Sequence, residues 1–295
     1  MLKKVRKIVL FSLAILFMLV LLGGNVHAAD GSLNLYMLKF EAKINDDGSM
    51  DVVETWNIRI GYTNTLYKTF EMDNSKFSEI TNVKVTEVTD GEEKEFTNIN
   101  EEMYHVTKDC YYGLINSNVN FEIAWGVGLD NSYDTRTYEI SYTVKDAISK
   151  YNDYAELYWQ FVGENFEIDA DEINGTITLP ESADNKEDIK VWGHTENLNG
   201  EIYVTDLNEI KFRIKNFDAG RFVEVRTLFP SSMITNANRT YNQDRYNEVL
   251  EEETKWANQA NLRREWEEIQ GEVIGVFLVF VVLALCIIYI EKAVK

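Results

Sequence analysis

Outside its two ends, this 295-residue chain carries few groups that could do chemistry: His105, His194, one thiol at Cys110, and a large excess of carboxylates. Neither histidine has a partner at a metal-ligand or triad spacing, which argues against a zinc site and a histidine-based nucleophile. Cys110 precedes Tyr111-Tyr112-Gly113 in a strand-like run and reads as a small buried apolar side chain rather than a nucleophile. Cys286 lies in an apolar run, so no intramolecular disulfide is expected. Asp169-Ala170-Asp171-Glu172-Ile173-Asn174-Gly175 has the charge of a calcium loop. However, Ile173 takes a ligand position and the glycine is out of register, so it reads as a solvated turn before a strand. There is no phosphate-cradling glycine loop and no GxSxG elbow.

One chemistry stays open. Glycoside hydrolysis needs a carboxylate pair in a cleft, and Tyr111, Tyr112, Tyr158 and Trp159 are candidate aromatic platforms. Aromatics in alternating strands more often pack cores and cross-strand pairs. The sequence therefore predicts no catalytic, cofactor-binding or metal residues and no cofactor, with a surface carbohydrate-active hydrolase as the alternative.

The elements that must hold these groups are set by the ends of the chain. Val273 to Ile290 is uncharged throughout. As a helix it covers about 27 Å, close to the hydrocarbon thickness of a bilayer. Trp266 and Tyr289 suit interfacial depth, and Lys292 and Lys295 follow as anchors. At the other end, Lys3, Lys4, Arg6 and Lys7 precede an apolar stretch, Ile8 to Leu22, and Val26-His27-Ala28 offers a cleavage site. The organisation expected is a signal peptide (1–28), an exported region in two β-sandwich parts (29–145 and 146–232), a juxtamembrane helix (239–270), a transmembrane helix (273–290) and a cytoplasmic tail (291–295). The chain is thus expected to be a single-pass cell-membrane protein with its ectodomain outside.

Charge follows that division. Of 29 basic and 49 acidic residues, the region between signal peptide and tail keeps 23 and 48, a net charge of −25. Such a surface argues against nucleic acid and against anionic lipid as partners.

Period-two patterning fills the exported part. Tyr36, Leu38, Phe40, Ala42 and Ile44 share one face of a strand, Asn45-Asp46-Asp47-Gly48 turns the chain, and Met50, Val52, Trp56, Ile58 and Ile60 line the next. Glu54 falls on that apolar side and must find a partner, because an unpaired buried carboxylate is costly. Further short runs are Ile80 to Val88, Glu95 to Ile99, Tyr111 to Ile115, Val119 to Trp125, Thr137 to Val144, Ala155 to Phe161, Ile173 to Leu179, Ile189 to Trp192, Glu201 to Val204, Ile210 to Ile214 and Phe222 to Phe229. With Asn, Asp and Gly turns and only two prolines, they predict a mainly β chain: an antiparallel β-sandwich ectodomain, one large or two consecutive. From Arg239 the composition turns helical. Val249, Trp256, Ala260, Trp266 and Ile269 make an incomplete apolar stripe expected to pack on the ectodomain or on a second copy.

Several segments together resemble an uncharacterised family of predicted membrane proteins, the one numbered 2207 among domains of unknown function. They are Asp47-Gly48-Ser49 with Val52-Val53-Glu54, Tyr138 to Val144, Tyr154 to Trp159, Ile177 to Pro180, and Val249 to Glu253 with Trp256-Ala257-Asn258. The resemblance implies a signal peptide, an exported β-rich domain and C-terminal membrane helices. It brings no catalytic residues, and this chain departs from members that carry a further span and a glycine-rich tail. The function expected is a non-enzymatic binding or assembly module at the cell envelope. Its partners would be the bilayer, through the C-terminal helix, and an envelope protein or a second copy, through the juxtamembrane helix.

Overall fold

The alternation becomes strand along nearly its whole length. The computed structural model describes residues 33–293 apart from 90, 119, 197 and 198, with the side chains of 129–132, 267, 268, 272, 282 and 284–293 also outside the description. The expected signal peptide, 1–28, lies outside the described residues. Strands β1 (Leu33–Ile44) and β2 (Met50–Phe70) form the expected hairpin, in register from Leu33↔Ile60 to Ile44↔Met50. Its turn needs Gly48 at φ +81°, a conformation only glycine adopts freely. The Asp47 carboxylate accepts from the Ser49 hydroxyl at 2.6 Å and the Ser49 N–H at 2.9 Å. These bonds hold the Asp47 carboxyl below the ordinary range.

The remaining strands are β3 (Glu79–Thr89), β4 (Glu92–Glu95), β5 (Thr97–Asn98), β6 (Cys110–Ile115), β7 (Phe121–Lys145), β8 (Ile148–Lys150), β9 (Ala155–Val162), β10 (Ala170–Thr178), β11 (Lys190–His194), β12 (Gly200–Asp206), β13 (Glu209–Phe217) and β14 (Val223–Phe229). They build two sheets. The larger runs β12-β13-β10-β1-β2-β7-β3-β4, with β6 also on β7 and β5 on β6; the smaller runs β11-β14-β9-β8.

Two details depart from the sequence reading. The runs expected at Val119–Trp125 and Thr137–Val144 are one strand, β7, because β2 follows it from end to end. The pair absorbs the intervening residues in a bulge, where Gly61↔Tyr133 gives way to Thr65↔Gly126. The large sheet is also mixed rather than wholly antiparallel: β10 lies parallel to β1, from Leu35↔Ala170 to Lys43↔Thr178. The chain reaches β10 only after crossing into the smaller sheet through β8 and β9, so it returns beside β1 in the same direction.

One apolar core draws on both sheets, with Leu35, Phe40 and Trp56 from the larger and Leu157, Trp159 and Phe161 from the smaller. Phe40, Phe161 and Phe212 meet at its centre, with ring centroids 5.1 Å apart for Phe40–Phe161 and 5.0 Å for Phe161–Phe212. Phe212 reaches it by lying over Gly175, where a Cβ would come within 2.0 Å of the ring.

The helix α1 runs from Tyr246 to Ala293 as 48 continuous residues. It starts later than the expected Arg239. Residues before it are held to the sheets instead: the Lys150 N–H donates to the Arg239 carbonyl oxygen and the Tyr241 N–H to the Lys150 carbonyl oxygen, both at 2.8 Å. Asp153 then caps the helix, accepting the N–H groups of Arg245 (3.0 Å) and Tyr246 (2.9 Å). Among the described residues no helix is long and apolar enough to cross a membrane. Of the expected span Val273–Ile290, however, the side chains of Val282 and Ala284–Ile290 lie outside the description.

Glu54 finds the partners its position demands. It is fully buried and accepts from Tyr142 Oη at 2.6 Å, from Trp56 Nε1 at 3.0 Å and from the buried Lys68 ammonium. Lys68 also donates to the Phe161 carbonyl oxygen at 3.0 Å, tying β2 to β9 across the core. Burial pulls the Lys68 pKa down against the attraction of Glu54, and burial beside Glu54 holds the Tyr142 phenol protonated. Glu54→Ala leaves an uncompensated buried cation and is expected to cost about 3–5 kcal/mol in urea unfolding of the purified protein. Adding Lys68→Met should recover most of that loss. A single-mutant cost below about 1 kcal/mol contradicts the pairing.

Candidate functional site

The outer face of the smaller sheet is where the helix arrives. Along β14, Val223, Val225 and Phe229 enter the shared core, so Glu224, Arg226 and Leu228 point the other way. The same alternation puts Glu156 and Tyr158 of β9 and Trp192 and His194 of β11 on that outer face. On α1, Val249, Glu253 and Trp256 recur at helical spacing and meet them. Val249 is fully buried against Tyr151, Tyr154 and Leu228, with Trp192 and Tyr246 alongside.

Arg226 is the centre of this junction, only 2 % exposed. Its Nε donates to Glu156 at 2.6 Å, and its Nη1 donates to Glu252 at 2.9 Å and Glu253 at 3.1 Å. Its guanidinium lies 4.9 Å from the centre of the Tyr158 ring. Three carboxylates from two elements therefore converge on one cation. Burial alone would lower the Arg226 pKa, but Glu156, Glu252 and Glu253 outweigh it and hold the guanidinium charged. Arg245 extends the network, donating to Glu252 at 3.2 Å and to Tyr151 Oη at 3.3 Å.

His194 makes a second bridge. Nδ1 lies 3.2 Å from Glu224 on its own sheet and Nε2 lies 3.0 Å from Glu253 on the helix. Its ring meets Trp256 edge-on at 5.0 Å. Burial pushes its pKa down, but the hydrogen bonds to the two glutamates prevail and lift it to about 9. The imidazole is therefore a cation at neutral pH. Burial of the half-buried Glu224 pushes its pKa up, but His194 and Tyr158 prevail and hold it below the ordinary carboxylate range.

This arrangement can hold an orientation, since both ends of each charge pair are fixed. Its charged groups are paired to one another, and Tyr158, His194, Glu224 and Glu253 also line a cleft of 660 Å³ beside Trp256. The other singled-out residues lie elsewhere. Tyr111, Tyr112 and Trp159 are buried, and Tyr158 is covered by Arg226. His105 sits in an exposed stretch against Tyr104. Cys110 is half-buried at the start of β6 rather than fully enclosed. Ala170 to Thr178 is strand, and no group of residues suited to a metal ion occurs among the described residues. Trp256 packs on His194 yet remains 38 % exposed, and Trp266 is exposed, so the expected burial of the stripe stops near Trp256.

Sequence reasoning missed Arg226 and the interruption of the helix's apolar stripe that answers it. Between Val249 and Trp256 the apolar stripe is interrupted by Glu252 and Glu253, and that interruption is where the sheet presents its cation.

Solved structures similar to this chain include a provisionally assigned protease from Parabacteroides distasonis (TM-score 0.41, 11 % identity, covering 68 % of this chain and 41 % of that one). Yeast LTA4 hydrolase with bestatin matches at TM-score 0.42 and 9 % identity, over 67 % of this chain and 29 % of the hydrolase. The M1 zinc metallopeptidase of Deinococcus radiodurans matches at TM-score 0.30 and 7 % identity, over 66 % and 42 %. The chain thus spans well under half the length of each, and at these scores the likeness carries no argument about activity. No curated protein matches the chain. The family model for the N-terminal domain of DUF2207, described as a predicted membrane protein, matches residues 37–229, and the chain belongs to that family.

Proposed function

We propose that this is a membrane-tethered, extracytoplasmic β-sandwich protein, a non-enzymatic binding or assembly module at the cell envelope. A single span at Val273–Ile290 would anchor it, with all strands outside and a short tail inside. Its partners would be the bilayer and an envelope protein or a second copy, and nucleic acid would not be among them. The observation that carries the reading is the Arg226 junction. The helix that continues into the uncharged segment is clamped to the sheet by Glu252 and Glu253, so tether and binding domain move as one body. Membership of a family of predicted membrane proteins supports the location. So does the bare apolar surface of the helix beyond Gly271, where Val273, Phe277 and Phe280 are each more than half exposed. Side chains of this kind facing outward suit hydrocarbon rather than water.

Two outcomes are expected. Protease added to intact wall-less cells should remove the region before Gly271; protection of that region contradicts the topology. His194, whose folded pKa of about 9 exceeds its ordinary 6.5, contributes stability that is complete below about pH 6.5 and is lost as pH rises through 9. The melting temperature of the detergent-solubilised full-length protein should therefore fall across that interval, and His194→Gln should remove that part of the fall. An unchanged profile in the variant contradicts the bridge to Glu253.

A further inference from the structure

Away from the helix, β2 carries an open edge. β1 pairs with it only as far as Leu33↔Ile60, and beyond that point β2 pairs with β7 alone among the described residues. Alternate N–H and C=O groups between Gly61 and Phe70 therefore point away from β7, and no strand among the described residues receives them. A cleft of 650 Å³ runs along this edge, bounded by the consecutive residues Thr65 to Asn74 on one side and Trp159 to Ile168 on the other. That residues from both faces of β2 line it in unbroken succession means it follows the strand's edge and not one of its faces. Leu33 of β1 also lines it.

The cleft also holds donors in need of acceptors. Trp159 lines it and is 4 % exposed, and its buried indole N–H has no hydrogen-bond partner. Lys68 lines it too, and its donations to Glu54 and to the Phe161 carbonyl use two of its three protons. The walls are apolar, with Phe70, Phe77 and Phe166, whereas Glu71, Asp73, Glu164 and Glu167 stand along the cleft as carboxylates.

We propose that this edge takes up an extended peptide segment of a partner protein, added to the large sheet beside β2 in line with β1, with apolar and basic residues in alternation. Backbone pairing with the free edge supplies affinity, and alternate side chains supply specificity. One set of side chains faces the aromatic walls, and the other, being basic, faces Glu71, Asp73, Glu164 and Glu167. A peptide carbonyl gives the Trp159 indole N–H the acceptor it lacks, and another offers a third acceptor to the Lys68 ammonium, which lies 5.0 Å from the centres of the Phe40 and Phe70 rings. Four carboxylates against Lys76, itself 3.7 Å from Glu224, and the paired Lys68 disfavour a small anion, and a simple amine has nothing for the two donors to bond. A short saccharide could meet donors and acceptors alike, but it leaves the row of strand-edge backbone groups unpaired.

The inference rests on the binding-module reading and names what the module binds. It is tested on the purified full-length protein with a synthetic hexapeptide, Val-Lys-Val-Arg-Val-Lys, its all-glutamate counterpart and a neutral trisaccharide, maltotriose. The basic peptide should bind saturably and slow at least tenfold the exchange of those amides from Thr65 to Phe70 that face away from β7, while the acidic peptide and maltotriose do neither. In Glu164→Lys/Glu167→Lys, at two exposed positions, with an unchanged melting temperature as the control because Glu167 accepts from Tyr67 Oη at 3.2 Å, affinity for the basic peptide should fall at least tenfold. Equal affinity in the variant, protection of these outward-facing amides before any peptide is added, or their protection by maltotriose instead would each overturn it. Because binding is read in solution, its failure leaves the topological result standing, and a wrong topology leaves this result standing.

Discussion

A guanidinium buried against a sheet must be answered by carboxylates, and at Arg226 that requirement decides where the C-terminal helix sits. With 2 % of its surface exposed, Arg226 cannot be satisfied by water. Glu156 on the neighbouring strand meets one of its faces, so the rest of the charge has to be met from above. Glu252 and Glu253 meet it, and to do so α1 must pass directly over β14 with Val249 turned into the apolar hollow between Tyr154 and Leu228. The helix cap at Asp153 and the Arg245–Glu252 pair fix its first turn in the same pose.

The core contains a second buried charge pair of the same logic. Glu54 and Lys68 both lie on β2, and Lys68 reaches the carbonyl of Phe161 on the opposite sheet. Buried ion pairs of this kind add little net stability compared with apolar residues of the same shape, but losing one partner is expensive. What they contribute is definition of geometry: Lys68 fixes how the two sheets face each other, and Arg226 fixes how the helix meets them.

Much of this was legible in the chain, and what escaped has physical reasons. The β1–β2 hairpin could be read because its alternation and its Asp47-Gly48 turn are local. Glu54 stood out as a carboxylate on an apolar face, and its need for a partner followed. The partner did not, since Lys68 sits between Leu66 and Phe70 on the same inward face and was the signal to seek. The parallel pairing of β1 with β10 joins segments far apart in sequence, and nothing in either strand's own pattern encodes it. Arg226 looked like an ordinary outward residue of a half-exposed strand, because its burial depends on a helix that arrives later in the chain. The stripe on that helix was read as running on to Trp266 and Ile269, yet contact with the sheet ends near Trp256, where the smaller sheet itself ends at the edge strand β11.

The account stands on the helix and the sheet being one cooperative body through Arg226, and amide hydrogen exchange on the solubilised full-length protein measures this directly. Val249 to Trp256 should exchange as slowly as β14, and Arg226→Met should speed exchange there while leaving β1 and β2 protected. If Val249 to Trp256 exchange as fast as the exposed helix at 260–266 in the unaltered protein, or if Arg226→Met changes nothing, the junction does not hold the helix.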